Sequence, residues 1–221
     1  MPMDDHTKAT VRALLDRYPR GYAAEEAGFS VTKSAAGLFR LLMLAILADD
    51  SAPSAEAVEG TKALLARGWH SVPEMAKTSQ DDRAEVLRSA GYRDSDEAST
   101  RLGQATAYLA EHYDGDLENL RREAGGDRRR LRGLLLRIPG LGDAGYAVFV
   151  RDAQVFWPEA GPFLDSHAVR AAGRLGLPDN PGELLRDVAR GQGEEMLGWL
   201  AGALALTDAH DDYDRITKAA S

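Results

Sequence analysis

Apolar residues recur along this chain every three to four positions, and Val, Ile and Thr never gather into alternating runs, so the period is helical throughout. An all-α protein follows. The spacing predicts helices over Lys8–Arg17, Leu38–Ala48, Ser54–Ala66 and Pro73–Lys77, the last with Pro73 suited to a first turn. Asp82–Ser89 ends at Ala90-Gly91-Tyr92, and Ser95–His112 runs until Asp114-Gly115 breaks it. Asp116–Glu123 stops at Gly125-Gly126. Arg128–Arg137 leads into Ile138-Pro139-Gly140-Leu141-Gly142, after which Ala144–Arg151 resumes the helical pattern. Beyond a loop holding Trp157, Pro158, Gly161 and Pro162, further helices are expected at Ser166–Leu175, Pro181–Arg190 and Glu194–Leu206.

Composition narrows the chemistry. The 221 residues contain no cysteine, which excludes disulfides, thiolate zinc sites, thiol nucleophiles and cysteine-ligated iron–sulfur clusters. The longest apolar stretch, Leu41 to Ala48, is far shorter than the roughly 20 residues of a membrane span and reads as a buried helix. The acidic start MPMDDHTK lacks the basic and apolar segments of a signal peptide, so a cytoplasmic monomer without a membrane partner is expected. Five scattered histidines show no ligand spacing, so no metal site is expected, and neither a phosphate-binding loop nor a Ser–His–Asp order is recognisable.

The string LRGLLLRIPGLGDAGYAVF sets two apolar helix edges around a Pro-Gly-Leu-Gly turn. Gly140 and Gly142 let the backbone turn sharply, Ile138 and Pro139 fix the approach, and Leu141 can plug the gap between helices. The second helix then begins with free N–H groups, to which a phosphate oxygen can dock with help from the helix dipole. A helix–hairpin–helix grips a DNA strand in this way, which makes Gly140, Leu141, Gly142 and Ala144 candidate DNA contacts. The alternative is an ordinary helix–helix turn that binds nothing.

The longer run from Leu134 through Leu177 resembles the core of the endonuclease III-type DNA glycosylases, in which an L-P-G-V-G hairpin is followed by a loop and V-D-T-H. Here Ile138-Pro139-Gly140-Leu141-Gly142 is followed at comparable spacing by Leu164-Asp165-Ser166-His167, with Arg170 and Arg174 continuing the pattern. Weaker similarity extends through Glu111–Gly115 and Ala90–Tyr92 to the helix at Leu41–Ala48, and to Trp199. The resemblance implies two helical subdomains: residues 21–154 as a barrel ending in the hairpin, and residues 1–20 with 155–221 as the second, with Asp165 facing the cleft. It also implies that Asp165 is catalytic, its ionised carboxylate stabilising positive charge on the sugar of a flipped nucleotide or orienting water. Asp165 equally suits the N-cap of the following helix, and the two roles are compatible.

Departures from the family's pattern shape the expectation. The lysine that forms a Schiff base with the sugar falls at Ala144, so the resemblance implies a monofunctional glycosylase that leaves an abasic site. The cluster-binding cysteines are missing. A monovalent cation held by hairpin carbonyls is the one ion the resemblance suggests. The glutamine that fills the gap behind a flipped base falls near Asp50, a poor wedge. Tyr146 and Asp50 are the candidate base-pocket residues, although Tyr146, like Trp69, Trp157 and Trp199, also suits a core.

Charge bears on the partner. A net charge of −8 opposes DNA binding. Locally the balance reverses, since Arg121, Arg122, Arg128, Arg129, Arg130, Arg132 and Arg137 face only Glu123 and Asp127 beside the hairpin. Arg128, Arg129, Arg130 and Arg132 are therefore candidate phosphate contacts, whereas Asp143 places a negative charge near the amides meant to hold phosphate. The expected activity is base excision from damaged or mismatched duplex DNA. The alternatives are a degenerate hairpin protein that binds DNA or another protein without cleaving the glycosidic bond, and a helical scaffold with no nucleic-acid partner.

Overall fold

The structure, a computed structural model, describes residues 4–19, 23–48, 54–188 and 195–221. Every regular element among these residues is helical. In chain order they are α1 (Asp5–Arg17), α2 (Ala23–Glu26), α3 (Ala35–Leu47), α4 (Ala55–Ala66), α5 (Val72–Met75), α6 (Gln80–Ser89) and α7 (Ser95–Tyr113). There follow α8 (Leu117–Ala124), α9 (Arg128–Leu135), α10 (Asp143–Ala153), α11 (Ser166–Arg174), α12 (Pro181–Val188), α13 (Glu195–Ala209) and α14 (Tyr213–Ala220). A short 3₁₀ turn covers Pro158–Ala160. None of the described helices is long and apolar enough to cross a membrane.

Small polar residues start these helices by accepting from backbone amides that have no partner within the first turn. Asp4 accepts from Thr7, Ser34 from Gly37, Ser54 from Ala57, Asp116 from Glu118 and Asp165 from Ala168. Ser79 and Asp82 form a reciprocal capping box at α6. The expected break after α7 is made by Asp114 and Gly115, both with positive φ.

The chain divides into two compact units, Ala24–Phe149 and Met1–Ala23 with Val150–Ser221. In the first, every residue from Leu38 to Leu47 of α3 except Arg40 is buried, because α4, α7 and α8 pack around this helix. Tyr92 donates to the Leu47 carbonyl at 2.8 Å and so satisfies an oxygen at the end of α3. Gly145 of α10 comes so close to α3 that a Cβ there would lie 2.3 Å from the Ala45 carbonyl oxygen. In the second unit, α13 packs against α1, α11 and α12, and α14 against α1.

The differences from the sequence reading lie at helix ends and in short elements. The Ser34 cap starts α3 three residues before Leu38, and α9 stops at Leu135, so residues 136–142 form the turn. Helix α14 was not expected, although Tyr213, Ile216 and Ala220 give it an apolar edge at helical spacing. The last residues of the helix expected at Pro181–Arg190 lie outside the described residues.

Candidate functional site

The hairpin belongs to the first unit. Asp127 begins α9 by accepting from the amides of Arg129 and Arg130 at 2.8 and 3.0 Å, which hold its carboxyl below the usual range. Past Leu135 the chain tightens: the Arg137 amide donates to Leu134, Ile138 to Leu135, and Leu141 to Ile138. Gly140 has φ +81°, a conformation that side chains resist. Ile138 and Leu141 are buried, so apolar anchors fix the turn on both sides. Helix α10 opens with the Gly142 carbonyl accepting from the Tyr146 amide at 2.8 Å. The amides of Asp143 and Ala144 meet no acceptor among the described residues. Gly142 is exposed with open space where a Cβ would stand, and Ala144 is partly exposed.

Around this opening Arg128, Arg129, Arg130 and Arg132 are all exposed. Arg130 lies 3.7 Å from Glu123. Arg132 donates to Asp143 at 2.7 Å, so the acid at the helix start draws one of the candidate phosphate contacts to itself. The same guanidinium stands 5.3 Å from the centre of the Tyr146 ring. Tyr146 is buried, which pushes its hydroxyl up, while the charges of Arg128 and Arg132 oppose that shift. A base stacking on this ring requires Arg132 to move. The carbonyls of Ile138 and Gly142 already accept from backbone amides, so a monovalent cation at the turn would have to share them. Asp50, the other candidate base-pocket residue, lies outside the described residues.

Asp165 belongs to the second unit. It is the N-cap of α11, with Oδ1 accepting from the Ala168 amide at 2.9 Å. Its Oδ2 accepts from Arg151 Nη1 at 2.6 Å, and the side chain has no exposed surface. Arg151 is sealed as well, and its Nε donates to Asp152 Oδ1 at 3.3 Å. Burial lowers the affinity of this guanidinium for its proton, but Asp165 and Asp152 outweigh burial and raise it. The loop before α11 is fixed by Gln154, which donates to the carbonyls of Arg151 and Phe163 and accepts from the Phe163 amide.

Compared with known proteins, the chain matches no family model and no curated protein. The geometry must therefore carry the functional reading.

Two neighbours of Asp165 were not found in the sequence. Arg151 and Asp152 interrupt the apolar run Val148–Ala153, and charges inside such a run signal a buried pair. His167 is held elsewhere, 2.5 Å from Asp208 through Nδ1. Asp208 also accepts from Arg170 and from Tyr213, linking α11, α13 and α14. Burial pushes its carboxyl up, but Tyr213, Arg170 and His167 together bring it below the usual range. Among the described residues no three His, Asp or Glu side chains are placed to hold a metal ion.

Proposed function

We infer that this is a helix–hairpin–helix DNA-binding protein of endonuclease III-like architecture in which Asp165 serves the fold and not the chemistry. One contrast carries this reading: the hairpin is open, and the aspartate is shut. Exposed Gly142 and the unpaired amides of Asp143 and Ala144 offer an oxyanion the start of α10, beside the exposed arginines of α9. Both oxygens of Asp165 are taken, one by Ala168 and one by Arg151, so neither is presented to a sugar.

Duplex DNA is the partner this arrangement suits, bound through its backbone and hence with strong salt dependence. The net charge of −8 limits affinity at a distance, and the local arginines act at contact range. The test is titration of a fluorescent duplex with wild type and Gly142→Asp across a range of salt. Salt-dependent binding that the substitution abolishes supports the reading. Equal binding by both, or none by wild type, refutes it.

A second reading, a monofunctional glycosylase for damaged or mismatched bases, is supported by the linked hairpin and Leu164–His167 motifs and by the position of Asp165 at the start of α11. It requires Arg151 to release Oδ2, and base release from lesion-bearing duplexes would demonstrate it.

A further inference from the structure

Gly140 has an arginine lying against it. A Cβ built on this glycine would stand 2.7 Å from Arg101 Cβ, 3.2 Å from Cγ and 3.4 Å from Cδ, so the stem of Arg101, from α7, runs along the hairpin turn. Arg101 Nε is shielded from solvent and has no hydrogen-bond partner, and the side chain forms no ion pair among the described residues. Other shielded arginines in the protein are differently placed. Arg83 donates to the Ser99 carbonyl and to both the carbonyl and hydroxyl of Thr78, and Arg151 is held between two carboxylates. A buried donor on a full positive charge is costly to leave unmet, and an arginine with a structural role is normally saturated.

We propose that Arg101 is a phosphate-contacting residue of the hairpin: its stem runs along Gly140, and its guanidinium binds a phosphate of the DNA strand that docks at the turn. This rests on the DNA-binding reading above and adds to it a contact from outside the hairpin motif. The planar guanidinium suits a phosphate, to which it can donate through its two terminal nitrogens at once, since these, unlike Nε, are not among the shielded atoms. It also accounts for the close approach, since a side chain at position 140 would push the Arg101 stem away.

Arg101→Met keeps the length of the stem and removes every donor, whereas Arg101→Lys keeps the charge and loses the fork. With a labelled duplex titrated across sodium chloride concentrations, Arg101→Met should bind about three- to tenfold more weakly near 0.1 M salt, with the slope of log affinity against log salt reduced by about 0.9. Arg101→Lys should keep the slope and lose part of the affinity. Without DNA, the melting temperature of Arg101→Met should equal or exceed that of wild type, because an unmet donor has gone.

Wild-type binding with unchanged affinity and slope in Arg101→Met overturns the assignment and leaves the DNA reading intact, as does a fall in melting temperature, which marks a structural role. If wild type binds no duplex at any salt concentration, both fail. If inorganic phosphate raises the melting temperature of wild type but not of Arg101→Met, and the two bind duplex equally, the site holds a free anion and the strand contact is refuted.

Discussion

Arg151 donates to Asp165 at 2.6 Å with both side chains closed to solvent, and this one pair determines how the aspartate is read. A carboxylate held by a buried guanidinium and a helix amide is fixed in place, and it has no oxygen left to offer.

Breaking that pair from the arginine side should be severe. Arg151→Met leaves Asp152 and Asp165 buried without their cation, and such losses cost about 3–5 kcal/mol. Asp165→Asn should cost less than half as much, because the amide oxygen still accepts from Ala168 and Arg151 retains Asp152. Urea unfolding measures both. Duplex affinity of folded Asp165→Asn should equal that of wild type.

The two hairpin glycines should separate folding from binding. Gly140→Ala places a side chain at φ +81° and 2.7 Å from Arg101 Cβ, which should cost roughly 2 kcal/mol or more. Gly142→Asp enters open space, so its stability should stay within about 0.5 kcal/mol of wild type while its carboxylate repels phosphate. Thermal melts and anisotropy titrations on the same samples check the pair.

Asp143→Asn should strengthen DNA binding. It removes a negative charge from the start of α10 and releases Arg132 from an exposed ion pair worth at most about 1 kcal/mol. A several-fold gain in duplex affinity at low salt, shrinking as salt rises, is the expected outcome. No gain would mean that phosphate does not approach this end of the helix.

The Tyr213 hydroxyl, pushed up from 10.0 to about 12 by burial and then by Asp208, gives the second unit an alkaline limit. A group whose value is raised on folding contributes stability that is fully present below its unfolded value and lost as pH rises through its folded value. Stability should therefore fall between about pH 10 and 12, with Tyr113 of the first unit, also near 12, contributing in the same window. Tyr213→Phe should cost about 1.5–3 kcal/mol at neutral pH, for the lost hydrogen bond to a charged carboxylate, and should flatten its share of the alkaline decline. Unfolding free energies measured from pH 7 to 12 test both parts.

Much of the fold was legible because most helices carry their caps and stops in sequence. Ser54, Asp116 and Asp127 lie beside the segments they start, and Asp114-Gly115 ends α7 where the pattern predicts. Helix α14 was obscured because its acidic surroundings at Asp208–Asp214 look like a solvated tail, while its apolar edge is only three residues. The hairpin was legible as local chain geometry, since Pro-Gly-Leu-Gly specifies its own turn. The partners of Asp165 and Gly140 were not, because a contact from Arg151 fourteen residues away, or from Arg101 on α7, leaves no periodic trace in the sequence.

The most direct measurement follows duplex binding and base release together, on one panel of duplexes bearing uracil, alkylated and oxidised bases and mismatches, with protein in excess. The expected outcome is salt-dependent binding to every duplex, abolished by Gly142→Asp, and no released base from any of them. Base release by wild type that disappears in Asp165→Asn would contradict it, showing that the Arg151 pair opens and that the aspartate works on the sugar.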